Sequence, residues 1–235
     1  MQYAARRLIV ARGFGFPALC TVLVLLSLPP QTISVTSVAT SAELDSAFGD
    51  SSESTIVVSG GFDVGSSLSF SARTKSLSSA WSSVHTLSYS SSPSLFTCDD
   101  SGSLTLSYLE LNLFGASADD GVGFHLVNEG CAVTISYCTI RNAAGTSSSN
   151  GGVMYIGYGT VTFEYSTFTS NSGGNGGVVY VEEFAILYVG NSWFTSNEAM
   201  NVRCCLKLAA LCVSLLRLFS CNARGALFIA RARQR

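Results

Sequence analysis

Two pairs of adjacent aspartates are the side chains of this sequence that could carry out catalysis. They are Asp99-Asp100 and Asp119-Asp120, and His125 follows the second pair closely. Carboxylates can bind calcium or act as a general acid and a general base, and histidine can transfer a proton. Both pairs are flanked by Ser, Gly and Ala, which is typical of solvated turns. A structural turn is therefore the favoured interpretation, and catalysis by Asp119, Asp120 and His125 is the alternative.

Aromatic side chains on predicted strands form a second set, with binding rather than catalysis as their expected role. Some of these rings must point outward, where a flat row of aromatics could stack on the rings of a sugar. The alternative is that the rings form ladders that serve packing alone. The candidate binding residues are Tyr155, Tyr180, Tyr188 and Trp193.

The charge distribution argues against several classes of function. All 15 acidic residues lie between Glu43 and Glu198, and this stretch contains only three basic residues, Arg73, Lys75 and Arg141. Its balance of 3 − 15 = −12 argues against a nucleic-acid partner, because phosphate binding needs clustered Lys and Arg. The sequence has neither the His and Cys spacing of a zinc site nor a phosphate-binding loop. Neither a metal nor a cofactor is therefore predicted.

An internal repeat is the main signal of the fold. Four aligned segments begin at residues 104, 133, 161 and 187, and in each the first and third residues are apolar while the second usually is not. This is the period of a strand with one buried face, and a slip of one residue would expose the whole face. The repeat predicts an all-β fold, a right-handed parallel β-helix whose coils bury one another. The expected inward columns are Leu104, Val133, Val161, Leu187; Leu106, Ile135, Phe163, Val189; and Leu111, Ile140, Phe168, Phe194.

A second repeated feature lies between these strands. Residues 151–153 and 176–178 both read Gly-Gly-Val, and the Phe-Thr-Ser-Asn of residues 168–171 recurs at residues 194–197. Paired glycines suit a tight corner, and an Asn at a strand end suits a left-handed turn. These pairs resemble the repeats of polymorphic outer-membrane proteins of the chlamydial type, within the pectin-lyase-like β-helix superfamily. The third residue of the Gly-Gly-Val pair is usually Ala in that family.

The resemblance implies a surface or secreted β-helix, often an adhesin and sometimes a polysaccharide enzyme. Pectate lyases of the superfamily hold calcium with Asp clusters and abstract a proton with a basic residue. Here Arg141 is the only Arg or Lys in the repeat region. We therefore expect a non-enzymatic protein that binds polysaccharide or a cell-surface glycan, or that mediates adhesion. The alternative is a polysaccharide lyase or hydrolase, and calcium is expected only under that alternative.

Composition divides the chain into three segments. Residues 1–39 predict a secretory signal peptide, because three Arg residues precede an apolar run of secretory length and small residues follow it. An organelle transit peptide is the alternative. Residues 40–199 form the predicted β-helix, and Thr40-Ser41-Ala42-Glu43 has the form of a capping box that opens a short N-terminal capping helix. The protein is expected to be secreted or to lie at the cell surface.

The last segment, residues 200–235, departs from the repeat. Residues 200–222 contain four cysteines, no Gly and no acidic residue, and the next Gly-rich strand-like segment starts at Gly225. Three interpretations stay open: a non-native insertion, a capping helix, or a membrane anchor formed by residues 204–220. The anchor is the only feature that predicts a membrane partner. Under each interpretation we expect residues 200–223 not to continue the parallel sheet.

Cysteine use does not indicate a disulfide scaffold. The chain has 8 cysteines, but the body keeps only Cys98, Cys131 and Cys138, an odd number, and no Cys-x-x-Cys pair occurs. Cys131 and Cys138 are therefore interpreted as small apolar core residues, with a bridge as the alternative in an oxidising compartment.

Overall fold

The computed structural model describes residues 35–182, residues 184–200 and the backbone of the strand Leu206–Leu208. Over these residues the chain contains one helix, and its strands pair in parallel in three long sheets. From Thr55 onward, strands that follow one another in sequence lie in different sheets, and each strand of the three long sheets is hydrogen-bonded to its equivalents in the neighbouring coils. This arrangement is a β-solenoid, which confirms the predicted all-β parallel β-helix.

Each full coil contributes one strand to each of the three sheets in turn. The first sheet consists of Val35–Val38, Thr55–Val58, Thr74–Ser79, Gly102–Ser107, Cys131–Ser136, Thr160–Glu164 and Ile186–Gly190. The second sheet consists of Phe62–Val64, His85–Tyr89, Leu109–Asn112, Thr139–Arg141, Thr167–Thr169 and Trp193–Thr195. The third sheet consists of Leu68–Ser69, Phe96–Cys98, Phe124–Leu126, Met154–Ile156, Val179–Val181 and Leu206–Leu208. A short fourth sheet pairs Ser172–Gly173 with Glu198–Ala199.

The inward side chains form columns that run from coil to coil. All three columns predicted from the repeat are in register, and their members are buried. Inside them Phe163 packs against Phe168, with ring centroids 4.6 Å apart. The predicted register is therefore confirmed, and the intervening residues of each strand face outward.

The solenoid begins before the sequence repeat becomes visible. Val35–Val38 pairs in parallel with Thr55–Val58, so a signal peptide that ended at residue 39 would remove the first strand. The helix Ser41–Gly49 follows, and Thr40 caps it as predicted. The Thr40 side chain accepts a hydrogen bond from the Glu43 N–H, and the Glu43 carboxylate accepts one from the Thr40 N–H. The apolar face of the helix is buried through Leu44, Ala47 and Phe48.

Two basic residues support this end of the solenoid. Lys75 occupies an inward position opposite Leu104 and is only 1% exposed. Its ammonium group donates hydrogen bonds at 2.5–2.8 Å to three carbonyl oxygens, those of Ala47, Asp50 and Glu53. Arg73 Nη1 donates to Phe48 O at 2.7 Å. Burial lowers the pKa of Lys75 below its usual value, and the charge of Arg73 lowers it further.

The favoured interpretation of the cysteines as core residues is wrong for Cys131, for which the alternative, a disulfide bridge, is correct. Cys131 forms a disulfide with Cys98, and their Cα atoms lie 6.1 Å apart. Cys138 is a buried free thiol, and burial raises its pKa to about 12. The disulfide joins the end of a third-sheet strand to the start of a first-sheet strand one coil further on. Spacing along the sequence does not indicate this pairing, because the two cysteines become neighbours only when the coils stack.

The strand Leu206–Leu208 corrects the expectation for the tail. It pairs in parallel with Val179–Val181, so the β-helix continues past residue 200 and its next strand does not wait until Gly225. In residues 35–182 and 184–200 no helix is long and apolar enough to cross a bilayer. The predicted signal peptide before residue 35 and most of the proposed anchor at residues 204–220 lie outside the described residues.

Candidate binding site

The outward face of the third sheet brings several of the predicted residues together. His125, Tyr155 and Tyr180 occupy equivalent positions on three consecutive strands. The residues on either side of each ring in its strand are buried, and the three rings themselves are half-buried on the outer surface. Strand alternation therefore places one aromatic or imidazole ring per coil in a single column.

The other two aromatic candidates lie on different faces. Tyr188 is an outward residue of the first sheet, opposite Thr162, and Trp193 belongs to the second sheet, opposite Thr167. Each stands beside a threonine rather than beside another ring in the preceding coil. The structure thus brings Tyr155 and Tyr180 together and leaves Tyr188 and Trp193 apart from them.

Both predicted aspartate pairs lie in turns, and three of their four members are exposed. Asp120 is the half-buried exception, just before the third-sheet strand that contains His125. Its Oδ1 accepts a hydrogen bond from the Asn150 N–H of the next coil at 3.1 Å. This contact fixes one carboxylate at the N-terminal side of the ring column, whereas Asp119 points into solvent.

The rings of the column stack on one another. The centroids of His125 and Tyr155 are 5.3 Å apart with an interplanar angle of 22°, and those of Tyr155 and Tyr180 are 6.0 Å apart at 6°. Stacked neighbours cover part of each ring face, so the column offers ring edges and phenol hydroxyls to solvent. Stacking alone does not identify a binding site. Tyr137 and Tyr165, which lie at a different corner of the coil, also stack, with ring centroids 4.9 Å apart.

The Tyr155 ring lies along its own strand rather than straight out from the sheet. A Cβ atom at Gly157 would lie 3.1 Å from Tyr155 Cε1 and 3.3 Å from its hydroxyl oxygen, so a side chain here would crowd the ring and shift it by a few tenths of an ångström. The ring therefore points towards the C-terminal end of the strand. There Tyr158 stacks on Phe184 of the next coil, with centroids 6.0 Å apart, and the two residues are 38% and 68% exposed.

A carboxylate completes this cluster. Glu182 directly follows the strand of Tyr180 and lies close enough to its phenol to raise the pKa of Tyr180. Burial raises the pKa of both Tyr155 and Tyr180, and the negative charges of Glu182 and Asp120 raise it further. The two phenols therefore stay protonated at neutral pH and remain hydrogen-bond donors.

We call this cluster the third-sheet patch. Its members come from three consecutive coils, and the sheet register that aligns the core also aligns His125, Tyr155 and Tyr180. They are Asp120, His125, Tyr155, Tyr158, Tyr180, Glu182 and Phe184. The patch combines donors, acceptors and exposed ring surface on a backbone that is hydrogen-bonded on both sides, which is the chemistry of a binding surface.

The three basic residues between residues 35 and 200 are engaged away from the patch. Arg141 Nε donates to Glu110 Oε1 at 2.6 Å on the second sheet, and Arg73 and Lys75 donate to backbone carbonyls near the helix. Among residues 35–182 and 184–200, no group of three or more His, Cys, Asp or Glu side chains is arranged to hold a metal ion. The arrangement supplies carboxylates and phenols, and the strand Leu206–Leu208 places the backbone of Lys207 opposite Tyr180.

Sequence reasoning missed Glu182 and Phe184. Phe184 stands 26 residues after Tyr158, the offset that also separates the aligned core residues Val161 and Leu187. Extending the alignment to the residues just before each first-sheet strand would have paired the two rings. Glu182 has no equivalent signal, because its role depends on the direction in which the Tyr180 ring leans.

Comparisons with known proteins do not assign a family. No protein-family model, no curated protein and no solved structure matches the chain. The class of protein is therefore established by the architecture alone, as a parallel β-helix. The resemblance to polymorphic outer-membrane proteins and to the pectin-lyase-like superfamily stays a prediction.

Proposed function

We propose that this protein is a secreted or cell-surface β-helix that binds a glycan, or a glycan-bearing surface, through the third-sheet patch without catalysing a reaction. The proposal rests on one observation, which is that five rings and two carboxylates lie together on the outward face of the third sheet. The solenoid fixes their spacing, because each strand of the sheet is paired with its neighbours over its whole length.

Sugar chemistry suits this combination of groups. Phenol hydroxyls and carboxylates hydrogen-bond to sugar hydroxyls, and an aromatic face packs against the C–H face of a sugar ring. Phe184 is 68% exposed, so most of its ring surface is open to a ligand. Because the stacked rings of His125, Tyr155 and Tyr180 cover one another, they contribute edges and hydroxyls, while Tyr158 and Phe184 contribute open ring surface.

The charges favour binding over lyase chemistry. A lyase needs a basic residue close to carboxylates on one face, to take the proton from the sugar. The Arg141 guanidinium is engaged with Glu110 on the second sheet, and the Lys75 ammonium is buried among carbonyl oxygens. Neither cation lies beside Asp120 or His125, and the backbone of Lys207 is three strands away from His125 in the third sheet. We therefore propose Asp120 and His125 as members of a binding surface.

A glycan array with the full-length secreted protein tests the proposal, followed by titration calorimetry on the best ligand. Tyr155→Ala and Tyr158→Ala should each weaken binding roughly five- to thirtyfold, since an aromatic contact at an interface contributes about 1–2 kcal/mol. Tyr137→Ala is the matched control, because Tyr137 belongs to a similar stacked ladder on another part of the coil.

Two results would contradict the proposal. The first is an equal loss of affinity in Tyr137→Ala and Tyr155→Ala, which would point to a general loss of structure. The second is calcium-dependent cleavage of an acidic polysaccharide by the parent protein that disappears in Asp120→Asn. That outcome would favour the alternative function, a polysaccharide lyase.

A further inference from the structure

The strand that precedes the capping helix is built into the first coil of the solenoid. Val35–Val38 pairs in parallel with Thr55–Val58 over its whole length, and the Val38 side chain is fully buried in the core. The Val38 carbonyl oxygen accepts hydrogen bonds from the Ser59 N–H at 2.8 Å and from the Ser59 hydroxyl at 3.1 Å. Removal of this strand would expose the edge of Thr55–Val58 to solvent and leave Ser59 without this acceptor.

The two residues after this strand hold the start of the helix Ser41–Gly49. The Glu43 carboxylate accepts hydrogen bonds from the Ala39 N–H at 2.7 Å and from the Thr40 N–H at 3.2 Å. The bond from Ala39 is the main cause that lowers the pKa of Glu43. A cut after Ala39 would therefore remove a donor of the cap together with the first strand.

The sequence offers a second place for the leader to be cut. A secretory signal ends in a triplet whose first and third residues are small. Between Leu28 and Val35 only Thr32-Ile33-Ser34 has Ser, Thr, Ala or Gly at both of these positions. This triplet follows Pro29-Pro30, which ends the apolar run of the signal, so it stands at the correct distance from that run.

We infer that a signal peptidase cuts the leader at the Ser34–Val35 bond and that Val35–Ala39 belongs to the mature protein. Water hydrolyses this amide bond, which leaves a carboxylate on Ser34 and an ammonium group on Val35. The peptidase acts on the unfolded chain during export, so the fold does not direct the cut. The fold determines which product is stable, because only a chain that keeps Val35–Val38 completes the first coil. The inference rests on the secretion that the proposed function includes, and it adds a processing site to it.

The test expresses the full chain in a host cell that exports proteins and identifies the first residue of the exported product by intact mass and N-terminal sequencing. We expect Val35. Ser34→Leu should abolish this N-terminus, because leucine is too large for the position directly before the cut. Ala39→Leu is the matched control, since Ala39 is exposed, and it should leave the N-terminus at Val35.

A second measurement tests the physical reason for the inference. Protein that begins at Val35 and protein that begins at Thr40 are produced under oxidising conditions and unfolded in denaturant. The shorter chain should unfold at a lower denaturant concentration, because it lacks the buried Val38 and the pairing with Thr55–Val58. Equal midpoints would show that the first strand does not support the fold and would overturn the reasoning.

The outcomes separate the processing site from the proposed function. An exported product that begins at Thr40, or at any residue other than Val35, would overturn the processing site and leave secretion standing. Loss of the exported N-terminus in Ala39→Leu, with Ser34→Leu unchanged, would also overturn it. Protein that stays inside the host with its leader intact would reject both the processing site and the secretion on which it rests.

Discussion

Removal of the disulfide between Cys98 and Cys131 should lower the free energy of unfolding by about 3–4 kcal/mol. The two residues are 33 positions apart in sequence. In the chain-entropy treatment, a closed loop of that length removes about 12 cal/mol/K from the unfolded chain, which is close to 4 kcal/mol at room temperature. Both side chains are buried, so alanine at each position leaves no polar group without a partner.

The assay is denaturant unfolding of the Cys98→Ala, Cys131→Ala double variant against the oxidised wild type. The Cys138→Ala variant is the control, because Cys138 is also buried but makes no disulfide. Its expected loss is about 1 kcal/mol, the effect of a small cavity alone. Peptide mapping without reductant should recover a cross-linked peptide containing Cys98 and Cys131.

Two findings would refute this reasoning. If the double variant and Cys138→Ala lose the same small amount, the bond does not constrain the unfolded chain as calculated. If peptide mapping of protein from an oxidising compartment finds Cys98 and Cys131 as free thiols, then the coils do not bring them together as described. The second result would question the stacking of Cys131–Ser136 on Gly102–Ser107.

Three further predictions concern single residues. Phe163→Ala should cost about 3–5 kcal/mol in denaturant unfolding, because the ring is fully buried against Phe168, and a loss below about 0.5 kcal/mol would contradict its core position. Gly157→Ala should weaken glycan binding about threefold with an almost unchanged melting temperature, because its Cβ displaces the Tyr155 ring; unchanged calorimetric affinity would show that the ring's orientation is irrelevant. Burial lowers the pKa of Lys75 in the folded state, so the unfolded chain binds this proton more tightly and stability should rise with pH up to about 10.4. Unfolding measured across pH should show this rise missing in Lys75→Met, and identical pH profiles would contradict the folded-state pKa shift.

The predictable part of the fold is the part where every coil obeys the same rule. From Leu104 onward, apolar residues alternate with polar ones and recur at nearly constant spacing, so sheet register follows from the sequence. The N-terminal coils have the same geometry, but their sequence does not show the repeat. Lys75 occupies the inward position that Leu104 takes one coil later, because its ammonium group is satisfied by carbonyl oxygens at the end of the helix. A charge at a core position removes the apolar signal without removing the strand.

From the sequence, only the sheet face that carries the binding site could be predicted. Alternation along the strands shows that His125, Tyr155 and Tyr180 point outward on one sheet, since register fixes both sides of a strand at once. What alternation does not give is the direction in which a ring leans, and this direction depends on the space above Gly157. The position of Glu182 beside the Tyr180 ring depends on the direction of that ring, and it could therefore be found only from the structure.

The spacing of coils makes the length of the ligand a test of how the patch binds. His125, Tyr155 and Tyr180 stand on three consecutive strands, so the outer two rings are separated by roughly 10 Å along the solenoid axis. A linear glycan that lies along this axis meets one ring from each coil, and each added sugar gains contacts until the oligomer covers the three coils. Calorimetric affinity should therefore rise with oligomer length and then level off. A monosaccharide that binds as tightly as the longest oligomer would show instead that a single pocket near Phe184 accounts for binding, and that the column of rings serves only to pack the coils together.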